Sequence, residues 1–227
     1  MDLFTAENVS FVSSTGTIID DISLSIQSGT VTGFIGRSGC GKSTLLKLLA
    51  GVLVPSNGRV MFRGSDIQAM NDAANKAFRK RCGFVFQDSA LWANQSIMQN
   101  IELPLLSHFP SLDKGHRVEI IRNVCAELGY DKNLFLRPID LSMGEQKKIA
   151  FARALVLKPK ILFLDECIES LDEKSGLQII ELIEKFIEKG GTVLYVSHNK
   201  YFVQRIGGNI IEIEAGRLRT RARQNEV

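Results

Sequence analysis

The sequence predicts an α/β fold built on a parallel β-sheet whose two faces are covered by helices. Three apolar runs, Val31–Ile35, Ile161–Leu164 and Thr192–Ser197, are short and continuous rather than alternating, which is typical of strands buried on both faces. Helical periodicity follows two of these runs, at Ser43–Ala50 and at Gly176–Lys189. Buried strands separated by helices therefore favour a parallel sheet inside a helical cover.

The remaining chain divides into a β-rich start and a helical middle. Between Val9 and Val60, short β-like runs alternate with turn signals such as Ser56-Asn57-Gly58. The middle is mostly helical, most clearly at Arg117–Leu128 and Glu145–Val156. We expect a single domain over residues 1–227, in which residues 1–87 and 158–227 form the core with its β-rich part. Residues 88–157 are expected to form a helical subdomain.

Length, charge and cysteine content limit the classes of protein to which the chain could belong. The chain has 227 residues, 44% hydrophobic and 23% charged, which suits one sizeable core. Its net charge of +3 gives no bulk electrostatic reason to expect a nucleic-acid partner. No apolar run approaches the roughly 18 to 20 residues of a membrane span, and the first residues lack a signal-peptide pattern. The four cysteines form no CxxC pair, which predicts free thiols in the cytosol.

A glycine-rich segment lies between the first buried strand and the helix that follows it. Residues Gly36-Arg37-Ser38-Gly39-Cys40-Gly41-Lys42-Ser43 fit the phosphate-loop pattern G-x-x-x-x-G-K-[ST]. Glycines allow a tight turn that points consecutive N–H groups at an anion, and the helix adds the positive end of its dipole. The pattern predicts that Lys42 brings a full charge to the β- and γ-phosphates and that the Ser43 hydroxyl ligates Mg²⁺.

The apolar run Ile161–Leu164 ends in two acids, Asp165 and Glu166. Beside a phosphate loop, a carboxylate at the end of a strand can hold Mg²⁺ through the metal's water shell, which is the role predicted for Asp165. Glu166 is the next residue and is predicted to polarise an attacking water as a general base.

A third motif makes the prediction more specific. Residues Leu141-Ser142-Met143-Gly144-Glu145-Gln146, ahead of the helical segment 147–156, resemble the signature sequence LSGGQ of the ABC-family ATPases. Gln87 falls where that family has its Q-loop, Ser170-Leu171-Asp172 where it has its D-loop, and His198 where it has its switch histidine. The resemblance covers about residues 9–216. It implies a P-loop NTPase (RecA-like) core, an N-terminal antiparallel β-subdomain and an inserted helical signature subdomain.

The resemblance also implies a role for each motif residue. Glu166 would act as the base, Gln87 would sense the attacking water, and His198 would contact the γ-phosphate. Ser142, Gly144 and Asp172 would act across an interface with a second copy, in a head-to-tail dimer around two ATP. The phosphates would contact Gly36, Arg37, Ser38, Gly39, Cys40, Gly41, Lys42, Ser43 and Thr44. Mg²⁺ would be held by Ser43, Gln87 and Asp165.

The chain departs from the family pattern at Met143, Glu145, Cys167, Glu169 and Ser13. Ser13 stands where an aromatic ring normally stacks on adenine, and the nearest rings are Phe11 and Phe4. We expect Phe11 to pack in the N-terminal sheet, so that contact with the base is weak.

Four further residues have side chains that could bind or react, and each receives a separate prediction. His108 and His116 are assigned to the surface. Trp92 is preferred as a packing residue over a ligand contact, with a place on the surface that docks a partner helix as the alternative. The Cys40 thiol is expected to be open to reagents in the empty phosphate loop and shielded by ATP.

A transporter function requires a separate transmembrane permease, and the segment Asp88–Ile101 is the expected docking region. Its residues Leu91, Trp92, Ile97 and Met98 are more apolar than a solvated loop would be. The amino-acid sequence of this segment resembles the corresponding sequence in the ATPases of Mla/Mce-type lipid transporters. A substrate-binding protein is a further candidate partner, and the expected location is the cytoplasmic face of the (inner) membrane. The basic tail, Arg217 to Arg223, is expected to be a solvated end, with contact to anionic lipid as the alternative.

Two other functions stay open at this point. One is a soluble ABC protein that acts on DNA or ribosomes, although the chain has neither a second ATPase module nor a coiled coil. The other is a nucleotide switch that does not hydrolyse ATP, suggested by Met143, Cys167 and Ser13.

Overall fold

The computed structural model describes residues 2–169 and 171–219 and has the α/β fold that the sequence predicts. Ser170 of the expected D-loop, and Arg221 and Arg223 of the basic tail, lie outside the described residues. The strands are β1 (Asp2–Ser13), β2 (Gly16–Gln27), β3 (Val31–Ile35), β4 (Asn57–Phe62), β5 (Ser65–Asp66), β6 (Cys82–Val85), β7 (Ile161–Asp165), β8 (Thr192–Val196), β9 (Asn209–Glu214) and β10 (Arg217–Leu218). The α-helices are α1 (Lys42–Leu49), α2 (Asp72–Arg81), α3 (Ile97–His108), α4 (Lys114–Glu127), α5 (Met143–Leu155), α6 (Glu173–Glu188) and α7 (Lys200–Ile206).

The strands form two sheets. An antiparallel sheet has the order β2-β1-β4-β5, and a central sheet has the order β10-β9-β3-β8-β7-β6. In the central sheet β9, β3, β8, β7 and β6 pair in parallel, and β10 pairs antiparallel at the edge. Because parallel strands point the same way, β3, β7 and β8 present their carboxyl ends at one edge of the sheet. The phosphate loop follows β3, the two acids end β7 or follow it, and His198 follows β8, so all three meet at that edge.

Each face of the central sheet has its own hydrophobic core. On one face the sheet packs against α1 and the antiparallel sheet, where the ring of Phe163 contacts those of Phe4 and Phe84. On the other face Leu162 and Leu164 of the same strand pack with residues of α3 to α7. This alternation of inward side chains explains why β7 is a continuous apolar run rather than an alternating one.

The helical segment shares its core with the central sheet. Helices α3, α4 and α5 contribute buried residues to the same cluster as β6, β7 and β8. The division of the chain at residues 88 and 157 therefore stays a prediction from the sequence. Within the two described ranges, no helix is both long enough and apolar enough to cross a membrane.

Several helices and strands begin or end at residues other than those predicted. Helix α5 begins at Met143 rather than near residue 147, because the Ser142 hydroxyl accepts from the Glu145 N–H and the Glu145 carboxylate accepts from the Ser142 N–H. This reciprocal pair is a capping box, which satisfies two otherwise free donors at a helix start. Helix α2 was not predicted, since Phe78 is its one buried residue and its apolar periodicity is weak. Strands β1 and β2 are also longer than the short runs expected.

Candidate nucleotide site

The phosphate loop joins the end of β3 to the start of α1, as the motif requires. Gly36 has a φ of 146° and Gly41 a φ of 104°, a region that favours glycine. A Cβ atom at Gly36 would lie 2.2 Å from the carbonyl oxygen of Ile213, so no larger residue fits there. No side-chain hydrogen bond caps the start of α1 at Gly41. The first N–H groups of this helix are therefore available to an anion.

The ammonium of Lys42 lies inside this loop. Its Nζ donates to the carbonyl oxygens of Gly36 at 3.0 Å and Arg37 at 2.8 Å, and the residue is buried. Arg37, Ser38 and Gly39 form the exposed part of the loop, and Thr44 is half-buried in the first turn of α1. The charge of Lys42 is thus held at the centre of the loop by neutral acceptors, where a phosphate would interact with it more strongly.

Ser43 and Asp165 are joined directly across the edge of the sheet. The Ser43 hydroxyl donates to Asp165 Oδ1 at 2.6 Å, and Lys47 Nζ lies 3.8 Å from the other carboxylate oxygen. A hydroxyl and a carboxylate are oxygen donors that suit Mg²⁺, which binds nucleotide through one or two protein groups with the phosphates supplying more. Among the residues that the structure describes, no group of three or more His, Cys, Asp or Glu is placed to hold a metal ion.

Glu166 and His198 form the second contact at this edge. The backbone N–H of His198 donates to Glu166 Oε2 at 3.1 Å, and His198 Nε2 lies 3.3 Å from Oε1. Glu166 has a φ of 45° and is 6% exposed. Burial raises the pKa of its carboxyl above the ordinary value, against the opposing effects of His198 and Lys42. A raised pKa moves a carboxyl towards the range useful for a general base near neutral pH.

Gln87 lies on the segment after β6, and its side-chain amide faces Glu169, one of the residues that depart from the family pattern. Its Nε2 donates to Glu169 Oε2 at 3.0 Å, and both side chains are exposed. Glu169 therefore links the Q-loop to the segment that follows the two acids.

Ser142, Gly144 and Asp172 form a separate cluster at the start of α5 and α6. Ser142 bonds with Glu145, and Asp172 caps α6 by accepting from the Ser175 N–H at 2.9 Å, which lowers its pKa. A Cβ at Gly144 would lie 3.7 Å from Asp172 Oδ2, so the signature and D-loop residues of one chain are neighbours. The side chains of Ser142 and Asp172 bond with Glu145 and Ser175, at the starts of the same two helices.

Several plainer predictions turn out differently. Cys40 is buried rather than accessible, and its Sγ lies inside the loop 3.9 Å from Lys42 Nζ. Trp92 is 55% exposed and is not a packing residue, whereas Ile97 of the expected docking segment is fully buried in the core. His108 is half-buried, which lowers its pKa, while His116 is exposed as expected and pairs with Asp113.

The rings nearest to Ser13 pack in the core, as expected for Phe11. Phe4 is fully buried, and Phe11 packs against the same core as a half-buried residue. The Ser13 hydroxyl lies 2.8 Å from that of Thr15 at the tip of the β1–β2 hairpin. The neighbouring Val12 is exposed and offers an apolar surface there.

Sequence reasoning missed three groups around the site. Lys147 and Arg153 of α5 donate to the backbone of the segment that holds Gln87. Lys47 approaches Asp165, and Phe135 and Ile139 are large apolar residues that are exposed. A charge among the apolar positions of a helix, as at Lys147, is the signal that could have revealed the first group.

Comparison with known proteins identifies the family. A family model described as ABC transporter matches residues 19–169. The nickel import ATP-binding protein NikE of Brucella suis biovar 1 (strain 1330) is 35% identical over 206 residues, which are 89% of this chain and 77% of that protein. The chain belongs to the ABC transporter family. It carries that family's ATP-binding domain, which is an ATPase domain.

Other relatives of this ABC domain support the same assignment. The methionine import ATP-binding protein MetN of Rhizobium meliloti (strain 1021) is 33% identical over 203 residues, 89% of this chain and 56% of that protein. This chain therefore spans just over half the length of that relative. Among solved structures, the dimeric cassette MJ0796 in a post-hydrolysis state with ADP and Pi has a TM-score of 0.88 at 27% identity. The match covers 96% of this chain and 97% of that one, which confirms the predicted fold.

Proposed function

We propose that this chain binds Mg·ATP at the edge formed by β3, β7 and β8 and hydrolyses it as the motor subunit of an ABC transporter. One observation carries the proposal. A buried carboxylate bonded to the Ser43 hydroxyl lies beside a second carboxylate, Glu166, whose two oxygens face His198, all next to a glycine loop that encloses Lys42.

The residues divide the chemistry among them. The N–H groups of the loop and of the start of α1 hold the phosphates, and Lys42 exchanges its carbonyl acceptors for phosphate oxygens. Ser43, Asp165 and Gln87 would hold Mg²⁺, which would neutralise phosphate charge when bound. Glu166 takes a proton from the attacking water. His198, anchored to Glu166 through its backbone N–H, orders the γ-phosphate. Arg37, Ser38, Gly39, Cys40, Gly41 and Thr44 complete the phosphate contacts.

We further propose that two copies close head-to-tail and complete each other's sites. In the signature and D-loop cluster, Ser142 and Asp172 are exposed and Gly144 is half-buried, and the two exposed side chains bond with the nearby residues Glu145 and Ser175. The N-terminus of α5 at this cluster favours an anion through its dipole. A γ-phosphate held by the partner copy supplies that anion, and its loss on hydrolysis releases the pair.

A mixing experiment tests the composite sites. Lys42→Ala disables the phosphate loop, and Gly144→Asp adds a carboxylate where the partner's phosphate arrives. The nearest atom to a Cβ at Gly144 is 3.5 Å away, an ordinary contact, so this variant is expected to fold. Each variant alone should be inactive, whereas a mixture should recover phosphate release, because mixed dimers contain one intact site.

Two outcomes of the mixing experiment are informative. Recovery that grows with the fraction of mixed dimers supports the head-to-tail arrangement. A mixture that stays inactive, although both variants match the parent in thermal unfolding, contradicts it. A Lys42→Ala variant that hydrolyses ATP at the parental rate contradicts the catalytic site itself.

An exposed apolar surface near α3 supports docking of a transmembrane permease. Trp92, Phe135 and Ile139 are 55%, 77% and 85% exposed. The N–H groups of Ile97 and Met98 donate to the carbonyl oxygens of Leu136 and Leu134, which holds the segment carrying Phe135 against the start of α3. Asn100 of the same helix accepts from the Trp92 N–H, so Trp92 and Phe135 both lie near the start of α3. Large apolar groups exposed in one region are typical of an interaction surface. The chain then acts peripherally on the membrane that holds the permease, and a substrate-binding protein remains a candidate partner.

The transported substrate is a finer question. The relatives are named for methionine and nickel import, which favours import of a small solute as the working hypothesis. Lipid transport, suggested by the likeness of the segment after Gln87 to Mla/Mce-type ATPases, stays a prediction. Neighbouring genes that encode a permease with a solute-binding protein would support import, and an Mce-type partner would support lipid.

A further inference from the structure

Two cations of α5 hold the segment that follows β6. Lys147 Nζ donates to the carbonyl oxygens of Phe86 at 3.1 Å and Gln87 at 2.6 Å. Arg153, further along the same helix, donates to the carbonyl oxygens of Ser89 at 2.7 Å and Ala90 at 2.6 Å. Four carbonyl groups within five residues thus accept from one helix, and the segment 86–90 is fixed to α5 through its backbone.

The held segment has an unfavourable backbone conformation. Ser89 has a φ of 63° and Ala90 a φ of 45°, a left-handed region that residues with a Cβ avoid. Such conformations persist only where the surroundings fix them, and they concentrate at functional sites. The Ser89 N–H also donates to the Phe86 carbonyl, at 3.1 Å, so this oxygen is shared between the turn and Lys147.

Lys147 is unusually buried for a charged residue. It is 4% exposed, and burial lowers the pKa of its ammonium, against the opposing effects of Asp88, Asp165, Cys167 and Glu169. A buried ammonium is costly unless hydrogen bonds compensate it. Here the compensation comes from two backbone carbonyls, one of which belongs to Gln87. Lys147 therefore lies near the residues at and just after the end of β7, at the sheet edge that carries the candidate nucleotide site.

We propose that Lys147 is a positioning residue that fixes the backbone of Gln87, and through it the Gln87 side chain, at the nucleotide site. The inference rests on the proposed function, in which Gln87 helps to hold Mg²⁺. The carbonyls of Phe86 and Gln87 belong to the two planar peptide groups on either side of the Gln87 Cα, so holding both of them fixes the direction of its Cα–Cβ bond. The Gln87 amide then needs only its side-chain torsions to exchange Glu169 for the nucleotide.

Amide hydrogen exchange of the full chain tests the positioning step without any turnover. Lys147→Met keeps an unbranched side chain but removes the ammonium, whereas Lys147→Arg can still donate to both carbonyls. Exchange at the Ser89 amide should quicken roughly tenfold in Lys147→Met, because its acceptor oxygen loses a charged partner and the turn loosens. Lys147→Arg should retain protection, and Lys185→Ala, which removes an exposed charge on α6, should match the parent.

Steady-state ATP hydrolysis then tests whether Lys147 acts through Gln87. Lys147→Met should lower kcat by roughly 10- to 100-fold, the scale expected for misplacing a catalytic group. The concentration of ATP that half-saturates binding in the absence of Mg²⁺ should stay within about twofold of the parent, since the phosphate loop is untouched. Gln87→Ala combined with Lys147→Met should be no slower than Gln87→Ala alone, because both remove one function.

The inference is overturned if Lys147→Met leaves both the exchange of residues 86–90 and kcat unchanged. It is also overturned if the effects of Lys147→Met and Gln87→Ala on kcat multiply, which would show independent roles. Absence of hydrolysis in the parent and in Lys185→Ala alike would refute the proposed function instead. Exchange at Ser89 would still decide whether Lys147 holds the segment.

Discussion

Glu166→Gln offers the sharpest test of the assigned base, because it changes charge and basicity with almost no change in shape. The Gln oxygen can still accept from the backbone N–H of His198, which now donates to Oε2 at 3.1 Å. The contact with His198 Nε2 at 3.3 Å loses its negative partner, and the group can no longer take a proton. Removal of a general base slows hydrolysis by roughly 10²- to 10⁴-fold, which is about 2.7 to 5.4 kcal/mol of barrier.

The same substitution should not destabilise the chain. Burial raises the folded-state pKa of Glu166, so the folded protein binds the proton more tightly than the unfolded one. The stabilising contribution of this group is present below the unfolded pKa and is lost as pH rises through the folded pKa. At neutral pH the buried carboxylate is therefore a cost, which a neutral Gln removes. The Tm of Glu166→Gln should equal or exceed that of the parent.

The assay combines single-turnover phosphate release, thermal unfolding and the mass of the protein in solution with Mg·ATP. Glu166→Gln should bind ATP, release phosphate slowly and accumulate as an ATP-bound dimer. Glu188→Gln, a charge removal at the exposed end of α6, should behave as the parent. Parental turnover by Glu166→Gln would refute the assignment of the base, and a monomer in saturating Mg·ATP would refute the clamped dimer.

Further predictions concern pH, metal, core and docking. Because burial raises the pKa of Glu166, hydrolysis should fall on acidification at a pH above its ordinary pKa of 4.5, as a pH–rate profile would measure. Ser43→Ala should raise the Mg²⁺ concentration needed for ATP to increase the Tm, and an unchanged Mg²⁺ requirement would argue against a ligand role. Phe163→Ala removes a fully buried ring and should cost about 3 to 5 kcal/mol, or roughly 6 to 20 °C in Tm. Trp92→Asp should leave ATP hydrolysis by the isolated chain intact but reduce its stimulation by the permease, as comparison of the two rates would reveal.

The buried strands and the motif residues could be predicted from the sequence because their signals are local. Val31–Ile35 is a strand in the structure with the bounds expected, since a strand buried on both faces is apolar at every position. The phosphate loop could also be predicted, because the spacing of its glycines and Lys42 is set by the size of a phosphate group. The amphipathic helix at residues 173–188 also agrees with its pattern to within a few residues.

Predictions failed where a residue's environment is supplied by distant parts of the chain. The accessibility of Cys40 depends on how Lys42 folds back into the loop, and the exposure of Trp92 depends on Asn100, whose side chain accepts from the Trp92 N–H at 2.7 Å. Helix α5 begins earlier than predicted because a capping box, as well as apolar periodicity, sets where a helix begins.

The sequence by itself determined that this chain is an α/β protein with a phosphate loop, because phosphate chemistry requires fixed residue types at short, fixed spacings. The resemblance of residues 141–146 to the ABC signature sequence added the family. Only the tertiary structure decided which groups share the site. The partnership of Glu169 with Gln87 spans 82 residues and that of Lys147 with the Gln87 carbonyl spans 60. Such pairs depend on how α5 and β7 pack against the end of β6, and packing over that separation leaves no periodic trace in the chain.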